Sequence, residues 1–430
     1  MHDLSMNIEH VTRIEGHGNI VVDVKNGKIE KCQWQVVEAP RFFEAMVRGR
    51  KWDELSHITS RICGICSVGH TMASLKATEQ AMGVTPSEQT VTLRKILKHA
   101  ENFQSHVLHV GYLVLPDLLG VGSVLPLAAT HKEAVLTVVR LHRLANDICD
   151  LIGGRTTHPI SCTVNGFTKL PDLKALENIK ERLTEAIPDL KAVVEIVKSL
   201  ADRLPVFVRQ TEYIGLKSEE EYAIYDGKIA STDTGIHSVD EYRSIVNEYV
   251  VPQSTAKYTK HNRDSYMVGA LARFNLNHEQ LTPLAKKVAA EIGLKAPCYN
   301  PYMNSIAQLV EAPLSVEECL RLIDEILDKG LRKEDHRIEV KEGKGVGAVD
   351  VPRGILFHEY TYDKNGTCVE ANCVIPTNQN HASIQRDMET LLPSIIDKPP
   401  EEIRLMLEML VRAYDPCVSC STHFLTVEFI

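Results

Sequence analysis

Four cysteines stand out by their spacing. Cys63 and Cys66 lie in Arg61-Ile62-Cys63-Gly64-Ile65-Cys66-Ser67-Val68-Gly69-His70, and Cys417 and Cys420 in Asp415-Pro416-Cys417-Val418-Ser419-Cys420-Ser421-Thr422-His423. A two-residue spacer lets both sulfurs of a pair face one metal. Two pairs provide four thiolates, a donor set suited to zinc, to nickel or to the iron of a cluster. Thiolate number alone favours a structural zinc site or an iron–sulfur cluster. Position argues against the zinc staple, which usually has roughly 15–20 residues between its pairs. Here the pairs bracket nearly the whole chain. A dithiol redox motif is a third reading, but neither pair sits in a thioredoxin-like βαβ pattern. Of the 11 cysteines, Cys32, Cys149, Cys162, Cys298, Cys319, Cys368 and Cys373 stand alone and read as small buried apolar residues. An odd, scattered set is not a secreted disulfide scaffold.

The chain that must bring these pairs together has 430 residues, 44% hydrophobic and 24% charged, enough for a large core. A net charge of -9 without a dense basic run speaks against nucleic-acid binding. No apolar run reaches the about 18 residues of a membrane-spanning helix. The stretch 107–127 is interrupted by His109, Pro116 and Asp117. The N-terminus carries no charged-then-apolar signal pattern. The expectation is a cytoplasmic protein, with export beside a signal-bearing partner left open.

Hydrophobic periodicity predicts a mainly helical chain with small β-hairpins, an α+β class. Runs 19–24 and 29–37 read as strands joined by Lys25-Asn26-Gly27-Lys28, and Asn-Gly favours a type I′ turn. A short helical or irregular stretch opens at Arg41-Phe42-Phe43-Glu44. A helix after Cys66 should stop at Gly83. Ser87 is a candidate cap for a long helix whose apolar face is Leu93, Ile96, Leu97, Ala100, Phe103 and Val107. Thr130 is a candidate cap for the next, ending at Gly153-Gly154. Helices are also expected over 171–204, with Pro188 as a break or kink, and over 278–292, 303–329, 379–392 and 400–413. A second hairpin is expected over 355–362 and 367–375, turning at Lys364-Asn365-Gly366. Residues 205–265 read as a peripheral lobe within one cooperative unit spanning 1–430. Gly343-x-Gly345-x-Gly347 has the wrong spacing for a dinucleotide-binding loop and precedes a strand.

With these motifs assembled, the chain resembles the large subunit of nickel–iron hydrogenases. R-x-C-G-x-C-x-x-x-H near the start and D-P-C-x-x-C-x-x-H at the end carry the resemblance. Arg13-Ile14-Glu15-Gly16-His17 resembles the family's first motif. Asp350-Val351-Pro352-Arg353-Gly354-Ile355-Leu356 resembles its E-A-P-R-G-x-L segment, and Val374-Ile375-Pro376-Thr377 its V-V-P-T segment. Pro40-Arg41-Phe42-Phe43-Glu44 and the 411–417 segment are most similar to the cytoplasmic, multi-subunit branch, the sulfhydrogenase-like NAD(P)-linked enzymes. Two departures stand out: Asp350 replaces the family's glutamate, and Thr377-Asn378-Gln379-Asn380 replaces T-T-W-N.

The resemblance implies a central helical bundle with both termini converging on a metal site. It implies that Cys63, Cys66, Cys417 and Cys420 bind nickel, and that Cys66 and Cys420 bridge to an iron carrying carbon monoxide and cyanide. Splitting H2 needs metals to polarise it and a base to receive the proton. Glu15 is the implied proton relay, although a lone glutamate at a strand start is more often a surface residue. Arg353 is implied to lie over the metals, although a lone arginine is more often solvated. Asp117 and Asp415 are expected to pair with it. Pro352 and Thr377 would line the pocket around the iron's ligands, and His70 would hydrogen-bond a bridging sulfur. Glu44, His423 and the backbone carbonyl of Cys373 would hold a second metal, magnesium or iron. His99, His106 and His109 read as hydrogen-bonding residues of a helical core rather than ligands.

The implied function is reversible heterolytic cleavage of H2. The alternatives are a hydrogen sensor and a non-catalytic scaffold relative, the latter opposed by the presence of all four cysteines. The chain has no further cysteine set for an iron–sulfur cluster and no flavin or nicotinamide fingerprint. An iron–sulfur small subunit is therefore the expected obligate partner, with diaphorase or ferredoxin-linked subunits beyond it. Nickel-insertion factors and a maturation protease acting after His423 are the other expected partners.

Overall fold

The computed structural model describes residues 3–422. Strands β1 (Leu4–Ile8), β2 (Gly18–Lys25) and β3 (Lys28–Val36) form an antiparallel sheet in that order. The expected hairpin is β2–β3. Its turn residues Asn26 (φ 49°) and Gly27 (φ 71°) are both left-handed, as a two-residue type I′ turn requires. Strand β1 is an addition; its first four residues alternate half-buried and exposed before the buried Ile8, too short a run to stand out in sequence.

Helix α1 (Phe43–Val47) follows, then α2 (Ser67–Met82), which stops at Gly83 (φ 64°) as expected. Ser87 Oγ accepts the Thr90 N–H at 3.1 Å and opens α3 (Glu88–Leu108). The chain continues helically through a π turn, His109–Val114, into Leu115–Leu118. Pro116 lacks an N–H, and its ring collides with the carbonyl four residues back in a regular helix, so the wider turn accommodates it. Helix α4 (Lys132–Gly153) ends at Gly154 (φ 76°). Thr130 does not cap it. Thr130 closes a short helical turn of its own, and its Oγ1 is hydrogen-bonded to His131 Nδ1 at 2.9 Å. Helix α5 (Leu173–Ser199) is capped by Asp172 and runs through Pro188 without stopping.

Strand β4 (Glu212–Lys217), helix α6 (Ala270–Asn277) and helix α7 (Asn304–Lys329) come next. Helix α3 packs between α4 and α7, and α5 covers both of those, making the helical centre of the fold. Strands β5 (Gly343–Val351), β6 (Gly354–Tyr362) and β7 (Cys368–Val374) form a second antiparallel sheet. Helices α8 (Pro376–Ile395) and α9 (Pro400–Ala413) then lead to the second cysteine pair.

The sequence reading is corrected at one place here. Gly343, Gly345 and Gly347 do not precede a strand; they lie within β5. A Cβ at these positions would sit 2.2, 2.2 and 2.0 Å from the carbonyl oxygens of Ala81, Ala77 and Ala73. Three glycines on one strand face thus let β5 lie directly on the alanine row of α2. Glycine lowers strand propensity, so the close approach is what makes this strand. The stretch 205–265 packs onto the second sheet. Ile214, Leu216, Ala223, Ile229 and Tyr242 share one buried cluster with Val346, Ala348, Ile355, Phe357 and Val374, covering a face of the second sheet.

Candidate metal centre

Cys63 follows a 3-10 turn, Ser60–Ile62, and Cys66 stands at the entrance of α2. The Cys66 N–H donates to Cys63 Sγ at 3.1 Å, which folds the first pair around a tight loop. Asp415 takes a left-handed conformation (φ 50°) after α9 and turns the chain back. That turn brings Cys417 Sγ to 3.5 Å from Cys63 Sγ. The sulfurs of Cys63, Cys417 and Cys420 lie within 4.8 Å of one another, and all four cysteines are buried. Cys417 and Cys420 would ligate a metal as thiolates. Three mutually close sulfurs, with the buried Cys66 next to Cys63, are soft donors that fit a thiophilic metal such as nickel. The Cys66 thiol is pushed up by its hydrogen bond to Cys63 and by burial. Cys63 is held down by the same hydrogen bond, with help from the charge of Arg353.

Both loops are tied to the N-terminal region. Glu15 N donates to the Pro416 carbonyl at 3.3 Å, and Val418 N to the Glu15 carbonyl at 2.9 Å, a parallel bridge between chain ends. The Glu15 carboxylate Oε2 lies 3.1 Å from Cys417 Sγ and accepts the Ser419 N–H at 3.1 Å, while Oε1 accepts the Ser419 hydroxyl. Gly16 (φ 81°) permits this contact; a Cβ there would be 2.6 Å from Ser419 N. Thr377 Oγ1 accepts the Cys417 N–H at 3.0 Å. Asn378 Nδ2 donates to the Ser421 carbonyl at 2.8 Å, and Gln379 Nε2 to the Ile355 carbonyl at 2.6 Å. The Asn378 amide thus holds the second cysteine loop, while those of Gln379 and Asn380 hold the backbone of Ile355 and Val268.

Arg353 is buried with Nη1 3.2 Å from Cys66 Sγ, Nη2 2.7 Å from Asp415 Oδ1 and Nε 2.6 Å from the Asp415 carbonyl. Burial alone would lower its guanidinium pKa; Asp415 and the sulfurs of Cys66 and Cys63 outweigh that and raise it. Gln308 Nε2 holds the other Asp415 oxygen at 3.0 Å, and His109 bonds Gln308 Oε1 at 2.5 Å and the Arg412 carbonyl at 2.8 Å. His109 therefore acts from the π turn as a brace. Pro352 immediately precedes Arg353 in the turn between β5 and β6.

Asp117 is corrected. It does not pair with Arg353. Its Oδ2 lies 2.7 Å from Arg412 Nε, and its Oδ1 is 3.0 Å from Arg412 Nη2 and 2.5 Å from Arg13 Nη2. The two neighbouring guanidiniums saturate it. His70 presents Nδ1 to His358 Nε2 at 3.1 Å, and His358 Nδ1 meets Tyr360 Oη at 2.6 Å. A bond from His70 to sulfur therefore falls to its Nε2.

Glu44 lies buried on α1, which packs on β7, the strand carrying Cys373. Burial pushes the Cys373 thiol up, and the charge of Glu44 adds to it. His423 lies outside the described residues. His106 contacts Glu311 at 2.6 Å, as a hydrogen-bonding residue of the core.

Sequence reasoning missed Arg41 as a site residue. Its Nη2 donates to the Ile62 carbonyl at 2.8 Å and to the Ser419 carbonyl at 2.5 Å, tying together the loops of both cysteine pairs. Its place in Pro40-Arg41-Phe42-Phe43-Glu44 was the available signal. It also missed Arg13, although the motif Arg13–His17 contains it, and Gln308 and Arg273, for which an isolated residue type carries no mark.

Residues 41–137 and 207–423 match the family described as nickel-dependent hydrogenase, and residues 5–39 match one described as HoxL-like. The chain is 33% identical over 422 residues to sulfhydrogenase 1 subunit alpha of Pyrococcus furiosus, covering 98% of each chain. It is 31% identical over 426 residues to sulfhydrogenase 2 subunit alpha of the same organism, covering 97% of this chain and 98% of that one. The crystal structure of an NAD+-reducing NiFe hydrogenase in the H2-reduced state matches with a TM-score of 0.87 at 25% identity, covering 98% of this chain and 100% of that one. Buried paired cysteines, whole-length similarity and a shared fold agree: the chain belongs to the nickel-dependent hydrogenase family, as a large catalytic subunit with a nickel-containing active site.

Proposed function

We propose that Cys63, Cys66, Cys417 and Cys420 hold the nickel, with Cys66 and Cys420 shared with an iron that carries carbon monoxide and cyanide. When bound, the metal pair supplies the redox chemistry that takes H2 to two protons and two electrons. The observation that carries this reading is the placement of the Glu15 carboxylate 3.1 Å from Cys417 Sγ inside a four-sulfur site. From there Glu15 Oε2 receives a proton at the sulfur and passes it outward, while Arg353 holds fixed positive charge beside Cys66. Asp415 orients Arg353, and Thr377 orients the Cys417 loop through its amide. Pro352 lines the pocket, and His70 supports a bridging sulfur through Nε2.

Glu44, the Cys373 carbonyl and His423 hold a second metal, magnesium or iron, in a largely oxygen-donor shell. The packing of α1 on β7 supports this, since it brings Glu44 and Cys373 to adjoining elements. Electrons leave through an iron–sulfur small subunit to NAD(P)-linked or ferredoxin-linked subunits beyond it, and the likeness to an NAD+-reducing NiFe hydrogenase supports the NAD-linked reading. Nickel-insertion factors load the site, and a maturation protease is a further partner. Among the described residues no helix is long and apolar enough to cross a membrane, in keeping with a cytoplasmic enzyme. Relatives are named as hydrogenase subunits, which favours turnover over hydrogen sensing.

The deciding experiment is metal analysis and infrared spectroscopy of the natively purified complex, together with H/D exchange. One nickel and one iron per chain, infrared bands of metal-bound carbon monoxide and cyanide, and exchange of H2 with solvent deuterons are expected. Stoichiometric zinc without nickel would overturn the reading.

A further inference from the structure

Arg273 is fully buried on α6, and every N–H of its guanidinium faces an acceptor. Nε and Nη2 make a bidentate pair with Glu311 at 2.7 and 2.6 Å. Nη1 lies 2.7 Å from Asp350 Oδ1 and 2.6 Å from the Val351 carbonyl, and Nη2 lies 3.1 Å from the Pro352 carbonyl. The last two acceptors are the backbone immediately before Arg353.

That backbone needs an external hold. Strand β5 ends at Val351 and β6 begins at Gly354, so Pro352 and Arg353 form the connection between them. Pro352 has no N–H to anchor the turn. Gly354 (φ 132°) packs against Val268, where a Cβ would lie 2.3 Å from Val268 Cγ2. The turn is thus pressed against the entrance of α6, and Arg273, one turn into that helix, reaches back to it.

Other residues lock Arg273 in turn. Glu311 also accepts Tyr222 Oη at 2.7 Å and bonds His106 at 2.6 Å. The second oxygen of Asp350 accepts the Leu216 N–H at 2.8 Å, an approach open because residue 215 is glycine; a Cβ there would be 3.1 Å from that oxygen. Asp350 is also where this chain departs from the family motif.

We propose that Arg273 is a positioning residue for the H2 reaction: its guanidinium holds the Val351 and Pro352 carbonyls and so sets where Arg353 carries its charge beside Cys66. This rests on the role proposed above for Arg353. A lysine at 273 keeps the charge but, as a single point donor, cannot reach two carboxylates and two carbonyls in one plane. The guanidinium of Arg353 is then free to shift although its own sequence is intact.

The test uses the assembled complex carrying Arg273→Lys, Arg353→Lys, or both. Arg273→Lys is expected to keep nickel and iron, shift the infrared bands of the diatomic ligands, and slow H/D exchange roughly 10- to 100-fold. In the double variant the exchange should fall no further than in Arg353→Lys alone, because both changes disable one device. Multiplicative losses in the double variant, or loss of nickel in Arg273→Lys, would overturn the proposal and leave Arg273 a fold residue. Full exchange in Arg353→Lys alone would instead remove the role of Arg353 on which it rests. If Arg273→Lys does not assemble, Asp350→Asn decides. It keeps the side-chain size and the acceptor for Leu216 but removes a charge from Arg273. The same non-additive loss supports the proposal, and wild-type exchange overturns it.

Discussion

Glu15 and Cys417, 402 positions apart, face each other across a parallel backbone bridge, with the Glu15 carboxylate 3.1 Å from the sulfur. The connection between β1 and β2 thereby places a proton acceptor against a metal ligand that follows α9. Backbone bonds fix both partners, so the contact does not depend on a flexible loop.

Replacing Glu15 with Gln should keep nickel and the fold but slow H/D exchange by about 100-fold or more, because an amide does not relay protons. Glu15→Asp, with a shorter reach to Cys417, should be intermediate. Mass-spectrometric exchange of H2 with D2O reads this directly. Wild-type exchange in Glu15→Gln would take Glu15 out of the proton route.

Arg41→Ala should show a different defect. Its Nη2 is shared by carbonyls beside Cys63 and between Cys417 and Cys420. Without it the two loops are no longer tied to each other by this side chain. Nickel per chain is expected to fall, while activity per bound nickel stays near the wild-type value. Metal analysis alongside specific activity separates the two; full nickel loading would contradict the assignment.

The two aspartates should also separate. Asp415→Asn weakens the hold on Arg353 and should reduce turnover in a protein that still folds. Asp117→Asn leaves Arg13 and Arg412 beside a neutral amide and should act mainly on stability, by less than the roughly 3–5 kcal/mol of a broken buried pair, because Glu408 stays 3.3 Å from Arg412. Thermal unfolding and turnover measured on both variants check this. A large activity loss in Asp117→Asn without a change in melting would place Asp117 in the active site after all.

Acid should loosen the fold through buried neutral histidines. His381 accepts the Trp34 indole N–H at Nδ1 and bonds Ser421 through Nε2, and burial pushes its pKa down to about 3. His99, also buried, is pushed down to about 3 by burial and nearby Lys98. Each binds a proton more readily when unfolded, so its contribution is complete above the ordinary histidine value. It is lost as pH falls from about 6.5 toward 3, at up to about 1.4 kcal/mol per pH unit for each group. Denaturant unfolding at pH 7, 6 and 5 measures the slope. His381→Gln should flatten it; an unchanged slope would assign the acid sensitivity elsewhere.

The ladder of glycines on β5 gives a packing test. Gly345→Ala puts a methyl group into the Ala77 carbonyl and should destabilise by about 1–3 kcal/mol, the usual range for overpacking. The same change at Gly49, where a Cβ meets nothing within 4 Å, tests backbone conformation alone (φ 80°). A smaller melting shift at Gly345 than at Gly49 would mean that β5 can move off α2.

Local chemistry was readable from sequence wherever it repeats at short range. Asn26-Gly27, Gly83, Ser87 and Gly154 marked turns, stops and a cap because each satisfies its own backbone within a few residues. The spacing of Cys63–Cys66 and Cys417–Cys420 likewise announced a thiolate site, and their motif context pointed to nickel. Only the tertiary structure decided which carboxylate met which guanidinium. Asp117 and Asp415 are equivalent candidates for Arg353 in sequence, and Arg13 and Arg412 claim Asp117 only after the termini meet. The same holds for the glycines of β5, whose strand exists because α2 leaves no room for side chains. These choices depend on contacts between residues tens to hundreds of positions apart, and pair distances of that kind have no local pattern to leave in a sequence.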